Sequence, residues 1–406
     1  MLPLKGTNRV PRLMELGTTT CRTIPAAFGD SRGIPPADED EVSTLTLGTG
    51  STIDVSIGDV LPLEPVDEIS WHARYRMVQM LGNGAQGVVY LAQREGVDGY
   101  ETKVAVKLYF QDRSRGRDDY IAEMRRVARQ AQRVSEIQND NLVSIRDFVA
   151  VNDTRVMVMD WVDGLDLRQL LDPQRFATLR RKLRQQEWER LNDVVVSSGP
   201  DHCLLKPGIA VDVVRGCLAG LSGLHQRGIV HCDVKPSNIM IKRTGTKKVI
   251  DIDSSCHLAD EGDSVTRGTP YYMAPEQLRA QRVTHSSDIA SLGYVLIEML
   301  TGRLLFRDSK SVDDLLQAKL TLPDRLDGVL PRVVQEDPFL FALCRKMVAV
   351  DPDERFPNAE AADLDNRLGA ASFHRKLIKS DLSTEYAREL AWWIGACHEV
   401  GIPSVA

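Results

Sequence analysis

The chain has 406 residues, of which 43% are hydrophobic and 27% are charged, with a formal net charge of −6 at pH 7. This length allows one globular domain with a large core and additional segments. The acidic balance gives no reason to expect binding to nucleic acid or to an anionic membrane.

Residues 1–70 are rich in Gly, Thr, Ser, Pro and acidic residues. This composition predicts a weakly ordered N-terminal extension. Within it, the alternation at residues 52–57 is compatible with a short strand. Several Ser and Thr side chains at residues 43–52 stand beside an acidic run, which fits either ordinary disordered composition or sites of autophosphorylation.

From Trp71 the pattern changes to short β-rich runs, then a helix, then two further strands. The sequence predicts strands over 75–81, 88–92 and 103–109, a helix over 118–134, and strands over 142–149 and 155–161. This order indicates a small lobe built on a sheet with one main helix.

After Gly164 the chain is mostly helical. Apolar spacing predicts a helix over 211–226, and residues 289–300 are apolar almost all round, as in a buried helix. Residues 173–207 form a polar insert with a basic cluster at 180–184, interpreted as a solvated helix face, with a docking patch as the alternative. Residues 384–400 predict an amphipathic helix with Ser383 as N-cap, packed on the large lobe or lying in a partner's groove.

The segment GNGAQGVV at residues 82–89 matches GxGxxGxV. Its glycines allow backbone amides to approach phosphate oxygens. A dinucleotide-binding fold uses the same glycines but continues into a helix, whereas VVY at 88–90 continues as a strand, which favours a strand-turn-strand flap.

Lys107 follows on an alternating strand and is interpreted as a phosphate clamp. Its expected anionic partner is Glu123 on the next helix, with Glu136 as the alternative.

The segment HCDVKPSN at residues 231–238 carries the strongest signal. Asp233 can accept the proton of a substrate hydroxyl, Lys235 can balance charge on a transferring phosphoryl group, and the Asn238 amide oxygen can bind a metal ion. Asp251, at the end of a later strand, suits a magnesium ion that bridges phosphates.

With these motifs together, residues 77–368 resemble a eukaryotic-type (Hanks-type) serine/threonine protein kinase. The resemblance implies an α+β, bilobal fold: a small β-sheet N-lobe with one main helix (71–162) and a larger, mostly helical C-lobe (163–369), followed by a C-terminal helical extension (370–406). It also implies ATP and Mg²⁺ as cofactors and protein substrates as partners. Lysine at position 235 and the pair Gly268-Thr269 are the serine/threonine pattern.

The resemblance also assigns roles to individual residues. Asp233, Lys235 and Lys107 would be catalytic, Asn238 and Asp251 would bind the metal, and Met159 would be the gatekeeper before a hinge that binds adenine. The residues expected to contact the nucleotide are Leu81, Gly82, Gly84, Gly87, Val89, Ala105, Lys107, Glu123, Met159, Asp160 and Val162. The residues expected to order the activation segment and catalytic loop are Thr269, Glu276, Asp288 and Arg355, with Glu276 and Arg355 forming a buried ion pair.

Two positions depart from the family pattern. Cys232 stands where the family often has an arginine that grips a phosphate on the activation loop, so we expect activity that does not depend on such a phosphate. Ile252-Asp253 stands where the family has Phe-Gly. Isoleucine can fill the apolar slot, but loss of glycine makes a switch of this segment harder.

Two other functions compete with a protein kinase. One is a pseudokinase scaffold that binds ATP without transfer, and the other is a small-molecule phosphotransferase of the aminoglycoside-kinase kind. The segment TPYYMAPE at 269–276 argues against the second, because it shapes a platform for a peptide.

The seven cysteines form no CxxC pair, and no uninterrupted apolar run approaches the ~18 residues of a membrane span, so a cytoplasmic protein is expected.

Overall fold

A computed structural model describes residues 14–16, 44–47, 51–54, 73–84, 86–110, 116–151, 154–260, 267–377 and 382–399. Most of the predicted extension 1–70 lies outside these ranges. The described chain divides into two compact units. Unit 1 draws on Met1–Arg115 and Asp147–Val158, and unit 2 draws on Gly116–Arg146 and Met159–Val405.

Unit 1 contains a six-stranded sheet in the order β1-β4-β5-β6-β8-β7 and a separate hairpin of β2 and β3. The strands are β1 (Met14–Leu16), β2 (Thr44–Leu47), β3 (Ser51–Asp54), β4 (Ala73–Gly84), β5 (Gly87–Glu95), β6 (Glu101–Tyr109), β7 (Ile145–Val151) and β8 (Thr154–Asp160). Apolar side chains from β4 to β8, including Val104, Val106 and Val156, form its core. The predicted strand 142–149 begins later, at Ile145, and Leu142 makes only an isolated bridge with Val249.

Unit 2 is mainly helical, so the predicted α+β organisation, a sheet followed by a larger helical part, is confirmed. Its helices are α1 (Arg117–Ser135), α2 (Leu167–Leu170), α3 (Pro173–Lys182), α4 (Gln185–Arg190), α5 (Pro207–His225), α6 (Pro275–Leu278), α7 (His285–Thr301), α8 (Val312–Thr321), α9 (Leu326–Val329), α10 (Arg332–Gln335), α11 (Pro338–Met347), α12 (Ala359–Leu364), α13 (Ala370–Leu377) and α14 (Leu382–Glu399). Its short strands are β9 (Gly164–Asp166), β10 (Val196–Ser197), β11 (Leu204–Leu205), β12 (Ile229–Val230), β13 (Ile239–Lys242), β14 (Lys247–Val249) and β15 (Cys256–His257).

Helix α1 belongs to unit 2, although the sequence grouped it with the small lobe of 71–162. Two of its arginine side chains make polar contacts to the segment 253–260. The Arg126 guanidinium donates hydrogen bonds to the carbonyls of Asp253 and Ser255, and Arg133 makes two hydrogen bonds to the Asp260 carboxylate, at 2.6 and 2.9 Å.

Helices α5 and α7 lie at the centre of unit 2. Every residue of α7 after His285 is buried, as its apolar sequence predicted, and Gly302 ends it with a left-handed φ of 63°. Among the described residues, α5 is the one helix long and apolar enough to cross a membrane, and two thirds (67%) of its apolar window is buried in the protein. Asp212 and Arg215 interrupt its apolar sequence, so it contains no uninterrupted apolar run of that length.

The insert and the C-terminal helix are both structured parts of unit 2. The insert forms α3, α4 and a β10–β11 hairpin, and its basic residues at 180–184 are mostly exposed, as the solvated-face interpretation expects. Helix α14 begins at Leu382, so the predicted N-cap Ser383 lies inside it. Leu390, Trp393 and Cys397 are buried, and Arg190 pairs with Glu389, so this helix packs on its own chain.

Candidate active site

The glycine-rich segment forms the hairpin between β4 and β5 in unit 1. Gly82 lies opposite Val89, and Gly84 lies opposite Gly87. A Cβ atom on Gly87 would lie 2.1 Å from the Leu108 carbonyl oxygen, so only glycine fits this approach to β6. The chain therefore continues as a strand after the glycines, as predicted, and the helix of a dinucleotide-binding fold is absent at this place.

Lys107 lies on β6 beside this hairpin, opposite Val89 in the register, and Ala105 lies opposite Leu91. The lysine is 7% exposed, with Nζ 5.5 Å from the centroid of the Tyr109 ring. It belongs to unit 1, whereas the other polar residues assigned to the chemistry belong to unit 2.

In unit 2, the loop 231–238 brings three predicted catalytic and metal-binding residues together. Asp233 Oδ2 lies 2.7 Å from Lys235 Nζ and accepts a hydrogen bond from Asn238 Nδ2 at 3.1 Å. Asp233 Oδ1 accepts from the Thr269 backbone N–H at 2.8 Å, and Lys235 donates to Thr269 Oγ1 at 2.7 Å. The carboxylate is thus held from both sides, at 7% exposure, in one orientation.

The Asp288 carboxylate on α7 holds the backbone of this loop in place. Its carboxylate accepts hydrogen bonds from the backbone N–H groups of His231 and Cys232, at 2.8 and 2.9 Å, and lies 3.0 Å from His225 Nε2. Complete burial works to raise the pKa of Asp288, but the hydrogen bond and charge of His225 outweigh it and the pKa lies below its ordinary value. The carboxylate stays ionised and fixes the backbone just before Asp233.

The residues assigned to a metal ion lie at one end of a hairpin. Strand β13 begins directly after Asn238, Asp251 follows β14 closely, and the pairing of Ile239 with Val249 brings these two ends together. Both Asn238 hydrogen bonds use Nδ2, so among the described residues no donor reaches its amide oxygen. Asp251 adopts a left-handed φ of 65°. An amide oxygen and a carboxylate are hard oxygen ligands, so the pair fits Mg²⁺.

Glu123 on α1 pairs with arginine residues of unit 2. Arg126 donates to both of its carboxylate oxygens, at 3.1 and 2.8 Å, and Arg267 Nη2 lies 3.9 Å from Oε2. The alternative, Glu136, is exposed and caps the end of α1. Sequence reasoning missed Arg126, which is only 6% exposed. The available signal was an arginine on the apolar face of an amphipathic helix.

The segment at positions 252–253 is folded tightly despite its departure from the family pattern. Ile252 is 1% exposed, so it fills an apolar slot as expected. Its carbonyl accepts hydrogen bonds from the Ser255 N–H at 3.0 Å and the Ser255 hydroxyl at 2.6 Å. These contacts lie within the segment, and the hydrogen bonds from Arg126 join it to α1.

Cys232 faces a second thiol. Its Sγ lies 3.5 Å from Cys256 Sγ, and both side chains are buried. The hydrogen bond with Cys256 and burial raise the pKa of Cys232 well above its ordinary value. Because the thiolate is the reactive form, Cys232 has the character of a core thiol. No guanidinium stands at this position to receive a phosphate.

The structure also describes the predicted Glu276–Arg355 ion pair and the expected hinge. Glu276 and Arg355 form a buried, bidentate ion pair, with N···O distances of 2.7 and 3.0 Å. At the expected hinge, Met159 and Val162 are buried, and the Asp160 N–H donates to the Ser144 carbonyl at 2.9 Å.

Comparison with known proteins agrees with this geometry. A family model described as protein kinase domain matches residues 75–364. Serine/threonine-protein kinase PrkC of Bacillus subtilis is 30% identical over 301 residues, covering 72% of this chain and 40% of the relative. Serine/threonine-protein kinase PknB of Mycolicibacterium smegmatis is 32% identical over 297 residues, covering 70% and 41%. The chain thus spans well under half the length of these two curated relatives.

Proposed function

Because the chain belongs to the family of eukaryotic-type (Hanks-type) serine/threonine protein kinases, we propose that it transfers the γ-phosphate of ATP to serine and threonine hydroxyls of proteins. The observation that carries the proposal is the Asp233 carboxylate, held by Lys235, Asn238 and Thr269. All the polar groups that phosphoryl transfer requires are present, which favours an enzyme over a pseudokinase scaffold.

In the proposed mechanism, Asp233 orients the acceptor hydroxyl and takes its proton. The hydroxyl oxygen forms the new bond to the γ-phosphorus while the bond from that phosphorus to the oxygen of ADP breaks. Lys235 and Lys107 balance negative charge on the phosphates. Asn238 and Asp251 would hold Mg²⁺, which when bound shields the charge of the triphosphate.

One labelling experiment tests this function. Purified protein is incubated with labelled ATP, magnesium and a bacterial lysate, and labelled residues are identified by mass spectrometry. We expect phosphoserine and phosphothreonine on proteins, including residues of this chain as autophosphorylation sites. Label on small alcohols alone would support the small-molecule phosphotransferase, and ATP binding without transfer would support the scaffold.

We also propose that activity does not depend on a phosphate on the activation loop. The support is Cys232, whose thiol contacts Cys256 and offers no positive charge. Ser264 and Thr266 lie outside the described residues. A Ser264→Ala/Thr266→Ala variant should keep its rate within about threefold of wild type, because no charge-assisted contact to a phosphate is lost. A hundredfold loss in initial-rate assays would contradict the idea.

The proposed location is the cytoplasm. Two observations support it: the described cysteines are free thiols, and the apolar helix α5 is largely buried in the protein.

A further inference from the structure

Lys319 on α8 is buried in a way that is unusual for a lysine. It is only 1% exposed, and its Nζ lies 4.0 Å from the ring centroids of both Tyr294 and Phe306. Among the described residues, no carboxylate forms an ion pair with it. Its ammonium group donates a hydrogen bond to the Tyr271 backbone carbonyl, at 2.7 Å.

A gain in stability does not explain why a lysine is buried at this position. Burial lowers the pKa of Lys319 well below its ordinary value. Contact of an ammonium with aromatic faces recovers part of the cost, about 0.5–2 kcal/mol. An apolar side chain of similar length would fill the same space without the cost of desolvation. The contact with Tyr271 therefore offers a better reason for a lysine here than packing does.

The Tyr271 carbonyl belongs to a tight turn that is attached to the catalytic loop. The N–H groups of Tyr272 and Met273 both donate to the Thr269 carbonyl, at 2.9 and 3.1 Å. Thr269 in turn contacts Asp233 and Lys235 through the hydrogen bonds described above. Lys319 and the catalytic loop therefore both hold this turn, Lys319 through the Tyr271 carbonyl and the loop through Thr269.

The turn presents one aromatic side chain outward. The ring of Tyr271 is 47% exposed, whereas the neighbouring Tyr272 turns inward and its hydroxyl donates to Glu298 Oε2 at 2.7 Å. Tyr271 lies two residues after Thr269, whose backbone N–H donates to Asp233, so the exposed ring belongs to the same short turn as the residue that contacts the catalytic carboxylate.

We propose that Lys319 is a positioning residue for the protein substrate: through the Tyr271 carbonyl it holds the 269–273 turn so that the exposed Tyr271 ring contacts the acceptor protein. This inference rests on the proposed kinase function. It concerns the binding of the acceptor protein, and it leaves the binding of ATP to other residues.

Steady-state kinetics of a Lys319→Met variant tests the proposal. Methionine keeps the length of the side chain and removes the donor. We expect the KM for casein, used as acceptor, to rise about tenfold, which is the scale of losing one hydrogen bond, while the KM for ATP stays unchanged. Thermal unfolding should occur at the same or a higher temperature. Lys310→Met, at an exposed lysine just before α8, is the matched control.

A double-mutant cycle with Tyr271→Ala then separates positioning from a general structural role. If Lys319 acts by placing the Tyr271 ring, Lys319→Met should change the KM for casein by less than about twofold once that ring is absent. An equal effect in both backgrounds, or a parallel loss of thermal stability and of ATP affinity, would overturn the inference.

The wild type in the same assay keeps the two proposals distinguishable. If casein is not labelled, a protein labelled in the lysate experiment replaces it. A wild type that labels no protein overturns the kinase function itself. An active wild type whose KM for the acceptor equals that of Lys319→Met overturns only the role of Lys319.

Discussion

An Asp233→Asn variant should transfer phosphate to protein at least about a hundredfold more slowly than wild type, which is the range for removing a positioned general base. The amide keeps the size of the side chain and can still accept from the Thr269 N–H. It cannot take the proton of the acceptor hydroxyl, and it removes the negative partner of Lys235. Initial rates with labelled ATP measure the change.

The matched control is Asp308→Asn, because the Asp308 side chain is 99% exposed. This control should keep the wild-type rate. Thermal unfolding of both variants should show intact folds, so that the loss of rate is assigned to chemistry. An Asp233→Asn enzyme with near-normal turnover would refute the assignment of the catalytic carboxylate and, with it, the proposed mechanism.

Arg355→Met should destabilise the protein by about 3–5 kcal/mol, the cost of leaving one member of a buried ion pair alone. The Glu276 and Arg355 side chains are 5% and 0% exposed. Without the guanidinium, the carboxylate keeps the Ser287 hydroxyl as a donor, at 2.7 Å. The carbonyls of Ala349 and Val350 also lose a hydrogen bond. Urea unfolding followed by tryptophan fluorescence measures the shift.

Arg332→Met is the control for this prediction, because Arg332 pairs with Glu336 on the surface, where its side chain is 89% exposed. It should change stability by less than about 1 kcal/mol. Adding Glu276→Gln to Arg355→Met should recover part of the loss, since no buried charge then stands alone. A loss below about 1 kcal/mol for Arg355→Met would show that this ion pair is not important for stability.

Features that depend on neighbours in sequence could be predicted without coordinates. Asp233, Lys235 and Asn238 lie within one short loop, so their spacing already determines which side chains can meet. The apolar periods of α5 and α7 likewise placed both helices to within a few residues, although the first turn of each was missed. The Glu276–Arg355 pair was accessible too, but only through resemblance to a family.

Features that depend on distant segments were decided by the tertiary structure. Arg126 donates hydrogen bonds to the carbonyls at positions 253 and 255, and no local pattern contains that information. The thiol pair of Cys232 and Cys256 depends on the pairing of β12 with β15. The burial of Lys319 depends on α7 and on the turn at 269–273.

The physical reason for this division is the range of the forces involved. Hydrophobic period and turn chemistry act over a few residues, so the sequence by itself determined the elements and the composition of the catalytic loop. A buried arginine or lysine is tolerated only where packing supplies partners for its charge, and those partners come from segments far away in the chain. Only the folded chain shows which carbonyl, ring or thiol each of them meets.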